Sequence, residues 1–310
     1  MRTILTVTAL LLAVNGVAGS QAPDSDIFLL SLSKTGNPSD NGGERLVVTG
    51  ARNLTKRPGY DNQPNWSRDG STLFYTSVRE DNQADIYRMN VATGEVTRVT
   101  MTSPESEYSA TPIPNRNAIS VIRVERDSTQ RLWSVPLDGS PSTVILERIK
   151  PVGYHAWLND TLLALFVLGS PNTLQLANTN TGRADTARTS IGRSLHRRNA
   201  DYLSFVHKVS NEEWWLELMD PTTRESRRLI RMPPRVEDVT WADPWIVIGE
   251  GSVLKAFNFR AGGSNSLQWH VVADLAQYGM TGITRLSVSP RGDVLAVVAQ
   301  PASPGRGSPR

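Results

Sequence analysis

The chain of 310 residues contains no cysteine. That excludes a disulfide framework, thiolate metal sites and lipid attachment through a cysteine behind a leader. Histidine is scarce: His155, His196, His207 and His270 lie far apart with no ligand-spaced pair, so a zinc centre is not expected. No Gly-x-Ser-x-Gly elbow occurs, which removes serine hydrolases of the α/β-hydrolase type. Ala261-Gly262-Gly263-Ser264 lacks the lysine of a phosphate loop and reads as a hairpin turn. Excess charge is lacking too. The net +3 comes from Arg2, Arg306 and Arg310; within 21–300, 30 basic residues face 30 acidic ones. A neutral body offers no long-range attraction to nucleic acid.

Long apolar runs are confined to the N-terminus. Met1-Arg2, an apolar stretch from Ile4 to Val17 and small residues through Ser20 read as a secretory signal over 1–20. The stretch is too short for a good membrane span, so the mature chain is expected not to insert in a membrane. At the other end, 301–310 is rich in Pro, Gly and Ser and reads as a disordered tail. Between them, 21–300 is expected to form one domain.

That domain carries a repeat. Pro64-Asn65-Trp66-Ser67-Arg68-Asp69-Gly70 leads into Leu73-Phe74-Tyr75-Thr76-Ser77, then Asp85-Ile86-Tyr87-Arg88-Met89, Thr93-Gly94, and Val96-Thr97-Arg98-Val99. Asp69-Gly70 is a two-residue hairpin signal between strand-forming runs. Four short antiparallel strands make a unit that buries its faces by radial stacking. Anchors equivalent to Trp66 are read at Ile113, Trp157, His196 (where Leu195 fits as well), Trp241 and Val288. Six anchors predict an all-β, six-bladed propeller. The last echo supplies only two strands, while Asp26-Ile27-Phe28 matches Asp85-Ile86-Tyr87. The N-terminal strands are therefore expected to complete the C-terminal blade, closing the ring and hiding its edges.

The Pro-x-Trp-Ser-x-Asp-Gly strand, followed by Asp-Ile-Tyr and Arg-Val-Thr, resembles the repeat of the TolB-type six-bladed propellers, and Ser289-Pro290-Arg291-Gly292 carries the same turn. The match is tight over 60–100 and fainter over the rest of 24–300. The sequence shows no counterpart of the α/β domain that precedes the propeller in that family, so the resemblance implies a stand-alone propeller. It also implies a periplasmic or secreted protein that binds a protein or peptide of the cell envelope and is not an enzyme.

Binding surfaces of such rings lie where loops enter the inner strands. The candidates there are Tyr60, Asp61, Asn62, Arg79, Glu107, Tyr108, Tyr154, His155, Arg193, Glu237, Asp238 and Arg285. Their mix of tyrosine, arginine, acids and amides suits amphipathic contacts. No catalytic residue, metal ligand or cofactor is assigned. One rival is a metal-dependent hydrolase or lactonase holding a cation through Asn62, Glu107, Glu237 and Asp238 as hard oxygen ligands. Another is a carbohydrate-binding module, supported by the rim tyrosines. Trp66, Trp133, Trp157 and Trp241 read as inter-blade packing.

Overall fold

A computed structural model describes residues 24–36, 44–260 and 268–302. The signal over 1–20, the turn at Ala261-Gly262-Gly263-Ser264 and the tail from 303 onward lie outside the described residues.

Six four-stranded antiparallel sheets form the ring. In chain order the strands begin with β1 (Asp26–Thr35) and β2 (Arg45–Asn53). Blade one is β3 (Tyr60–Trp66), β4 (Thr72–Val78), β5 (Ala84–Asn90) and β6 (Val96–Arg98). Blade two is β7 (Ser106–Pro112), β8 (Ala118–Val124), β9 (Gln130–Pro136) and β10 (Thr143–Val144). Blade three is β11 (Val152–Trp157), β12 (Leu162–Val167), β13 (Thr173–Asn178) and β14 (Arg183–Thr189). Blade four is β15 (Ile191–Arg197), β16 (Leu203–Lys208), β17 (Trp214–Met219) and β18 (Ser226–Arg231). Blade five is β19 (Val239–Ala242), β20 (Trp245–Glu250), β21 (Val253–Asn258) and β22 (His270–Asp274). A 3-10 turn, Leu275–Tyr278, leads to β23 (Met280–Val288) and β24 (Val294–Pro301).

The sixth sheet runs β2-β1-β24-β23, so the two chain ends share a blade as the matched sequences predict. β1 pairs with β24 from Asp26↔Ala299 to Ser31↔Val294. Its alternating side chains serve both neighbours. Phe28, Leu30 and Leu32 pack toward blade five, and Ile27 and Leu29 toward blade one. The other apolar clusters are likewise slabs between successive blades, which is why one blade could not stand alone.

The anchor tryptophans tie blade to blade. Trp66 donates its indole N–H to Ser287 O (2.9 Å), Trp157 to Ser120 Oγ (2.9 Å) and Trp241 to Ser204 Oγ (3.0 Å), in each case on the preceding blade. Two anchors sit one residue from the predicted position. Trp66 pairs with Leu73 at the end of its strand, and the matching pairs are Pro112↔Ile119 and Arg197↔Leu203. Ile113 therefore packs forward against the blade of Trp157. Leu195, not His196, faces backward onto Ala156 and Phe166.

The Asp69-Gly70 turn is longer than the two-residue hairpin predicted. The connection runs Ser67–Ser71, with Asp69 accepting from Ser71 N (3.1 Å) and both serine hydroxyls, and Gly70 at φ 75°. The serine hydroxyls compete for the Asp69 side chain and stabilise a wider loop than a bare Asp-Gly would form.

One close approach invites a test. A Cβ on Gly249 would lie 2.3 Å from Ile283 Cγ2 and 2.7 Å from its Cβ. Gly249→Ala is expected to cost about 1–2 kcal/mol in urea denaturation, because Ile283 must leave its seat between blades five and six. An unchanged midpoint would show that contact to be loose.

Candidate functional site

The inner strands β3, β7, β11, β15, β19 and β23 run around a central channel. Five of the six carry a register shift: Asn62/Asn65, Tyr108/Thr111, Val152/Tyr154, Ile191/Leu195 and Thr281/Arg285. Gln63 and Ser109 adopt positive φ (55° and 56°) inside two of these bulges. A bulge places an extra residue on one strand and re-aims its neighbours, so consecutive side chains such as Asn62 and Gln63 both reach the channel.

Three spaces follow one another along the axis. A mouth of about 330 Å³ opens where the loops enter the inner strands. A waist of about 120 Å³ lies beneath it, sharing Tyr154, Arg193 and Arg285. A basin of about 1150 Å³ opens at the hairpin end and shares His155, Leu195 and His196 with the waist.

Six of the candidates converge on the mouth: Tyr60, Asn62, Tyr108, Tyr154, Arg193 and Arg285. Asp238 lies at the waist directly beneath. Its Oδ2 accepts from Arg193 Nε (2.9 Å) and Nη2, and from Arg285 Nη1 (3.0 Å). Glu237 is taken by Arg193 Nη1 (3.0 Å) and Lys208 Nζ (2.7 Å). Arg285 also donates Nη2 to Tyr154 Oη (2.9 Å). Burial opposes the charge on Arg285, but Asp238, Tyr154 and Tyr60 more than offset it and hold its pKa above the usual arginine value. Burial also pushes the phenol pKa values of Tyr60 and Tyr108 up, further from the neutral range in which they are in any case protonated.

The remaining candidates point elsewhere. Asp61 and Glu107 follow or precede mouth tyrosines, and strand alternation turns them behind the wall. Asp61 is fully buried against Arg57 Nη1 (3.1 Å), and Glu107 lies 2.9 Å from Arg123 Nε. Burial raises both carboxyl pKa values. Arg79 lies over the Tyr87 ring (3.9 Å) beside a separate groove. Asn62, Glu107, Glu237 and Asp238 do not form one ligand set: Glu107 is held behind the wall by Arg123, while Glu237 and Asp238 are both bound by Arg193. Among the described residues no three His, Cys, Asp or Glu side chains group as a metal site.

His155 sits deeper, 8% exposed, with Nε2 2.7 Å from Ser120 Oγ. A serine beside a histidine invites a nucleophile reading, but the network assigns the opposite polarity. Ser120 Oγ donates to Thr111 O (3.1 Å) and accepts from Trp157 Nε1 (2.9 Å). Nε2–H then donates to Ser120, and the imidazole cannot act as its base. Ser120 is also fully buried, and His155 Nδ1 has no partner among the described residues. Burial lowers the His155 pKa to about 3.

Sequence reasoning missed Gln130 and Gln300 in the mouth lining, and Lys208 behind it. The bulge at Asn62/Asn65 brings Gln63 inward, and no residue pattern announces it.

The architecture is thus that of a six-bladed propeller with a donor-rich channel mouth. No protein-family profile and no curated protein matches the chain. Among solved structures it is similar to a protein assigned as TolB from Agrobacterium tumefaciens, at 12% identity and TM-score 0.61, covering 91% of this chain and 99% of that one. It is similar to the nidogen/laminin complex at 10% identity and TM-score 0.62, covering 90% and 100%. An oligogalacturonate lyase in complex with manganese matches at 18% identity and TM-score 0.54, covering 85% and 84%. The chain has a TolB-like six-bladed propeller fold. A fold shared by such different proteins does not choose a function.

Proposed function

We propose that the chain is a non-catalytic binding propeller that takes a segment of a protein or peptide partner into the channel mouth. The observation that carries this reading is the mouth itself: three tyrosines and two arginines around a concave pocket of about 330 Å³. Tyrosine and arginine are the residues that dominate binding energy at protein interfaces. The arginines are fixed from below by Asp238, and pre-organised side chains lose little entropy on binding. The acids nearby are engaged by basic partners and Ser120 is sealed, which favours binding over hydrolysis. One solved structure of similar fold is itself a complex of two proteins. The leader-like residues 1–20 support a partner in the periplasm or outside the cell, and no helix among the described residues is long and apolar enough to cross a membrane.

The test is crosslinking capture from source-cell envelopes with tagged chain, beside Thr284→Trp and Asn117→Trp. Thr284 is exposed at the mouth rim and Asn117 is exposed at the opposite basin. A specific partner is expected with the parent chain and Asn117→Trp and lost, by about tenfold or more, with Thr284→Trp. Equal recovery by all three removes the mouth from the reading, and no recovery by any removes the binding propeller.

A further inference from the structure

We infer that the mouth is a carboxylate site, in which Arg285 and Arg193 receive a singly charged carboxylate group of the ligand and the tyrosine hydroxyls complete its hydrogen bonds. The argument starts from charge. Below the pocket floor, Arg193, Arg285 and Lys208 share only Glu237 and Asp238, which leaves one positive charge in excess. Both arginines are largely buried, with side chains 26% and 16% exposed. An under-compensated charge in a recessed site favours a counter-anion.

Hydrogen-bond capacity points the same way. Tyr154 accepts from Arg285 and keeps its own O–H to give. Tyr60 and Tyr108 line the same pocket and carry their phenol protons at pH 7, as any tyrosine does. Arg285 spends Nη1 on Asp238 and Thr284 O, and Nη2 on Tyr154. Its Nε–H has no protein acceptor among the described residues. With it, the second hydrogens of Arg285 Nη2 and Arg193 Nη1 remain to donate charge-assisted hydrogen bonds to carboxylate oxygens. The one carboxylate lining the mouth, Asp24, is exposed at the rim and accepts from Gly59 N (3.0 Å). A single excess charge matches a carboxylate better than a phosphate dianion.

The inference shares its pocket with the binding reading, but its ligand is either a peptide C-terminus or a free organic acid. Calorimetry at pH 7 separates these. The probes are a randomised hexapeptide pool lacking Asp and Glu with free C-termini, the same pool C-terminally amidated, glutarate, and inorganic phosphate. Free-acid peptides are expected to bind at least about tenfold more tightly than amides, the ratio of one charge-assisted hydrogen bond. Tyr60→Phe, which keeps the ring, is expected to weaken the free-acid pool by more than the amidated pool; Arg285→Gln is expected to abolish the difference between pools. Glutarate binding without peptide binding upholds the carboxylate site and removes the peptide reading. Equal binding of free and amidated pools overturns the carboxylate site and leaves the peptide reading standing. Phosphate binding more tightly than glutarate, or no carboxylate probe binding, overturns it.

Discussion

Replacing Leu30 with alanine is expected to cost about 3 kcal/mol, enough to remove a large part of the margin that keeps a domain folded. Leu30 is fully buried in the slab between blades five and six, against neighbours that include Val247, Leu254, Leu286 and Val297. The loss combines the transfer of the missing methyl groups with a cavity that a close-packed slab cannot collapse. Position matters as well as size. β1 is the strand through which the two ends of the chain are joined, pairing with β2 on one side and β24 on the other. If it detaches, the sixth sheet keeps only β23 and β24, and the edge of β24 with Leu295 and Val297 opens to water. The unfolding transition should therefore stay cooperative and move as a whole. Urea denaturation beside Val96→Ala, an exposed position on β6, provides the comparison, since surface changes stay within about 0.5 kcal/mol. A Leu30→Ala cost below that of Val96→Ala would mean that β1 does not hold the ring.

Closure was legible because it is a matter of pattern: Asp26-Ile27-Phe28 repeats Asp85-Ile86-Tyr87, and a ring of blades needs every sheet filled. The blade count was legible for the same reason, even where the anchor was read at Ile113 or His196, since a one-residue slip leaves the period intact. What a slip does change is the face, because side chains alternate. That is why Ile113 turned out to pack forward and Leu195 backward. The mouth was half legible. Loop position gathered Tyr60, Asn62, Tyr108, Tyr154, Arg193 and Arg285, which line one pocket, and strand alternation alone would have separated Tyr60 from Asp61 and Tyr108 from Glu107. The inward turn of Gln63 was not readable, because it depends on a bulge with a left-handed residue. Nor was the coupling of Arg193 to Arg285 through Asp238, which joins strands or loops of blades four, five and six.

Lowering the pH from 7.5 to 5 is expected to weaken the fold by about 2 kcal/mol through His155 alone. The folded imidazole has its pKa lowered by burial to about 3, against 6.5 for the free side chain. The sign follows from which state binds the proton. Below 6.5 the unfolded chain takes it up while the folded chain does not, so stability present above 6.5 is lost as the pH falls toward 3. At pH 5 the unfolded histidine is nearly all charged and the folded one nearly all neutral, so the size of the loss hardly depends on how far below 5 the folded value lies. The cause is local: Nε2–H is used on Ser120, and a second proton on Nδ1 would find no acceptor. His155→Gln keeps a donor for Ser120 and removes the titration. Urea denaturation of both chains at pH 5 and 7.5 reads the effect as a difference of differences, in which His196, also lowered by burial, and the raised carboxyls of Asp61 and Glu107 cancel. The variant is expected to be flatter by about 2 kcal/mol over that interval. Parallel pH profiles would mean that water or an acceptor reaches Nδ1, and would reopen Ser120–His155 as a pair able to exchange protons.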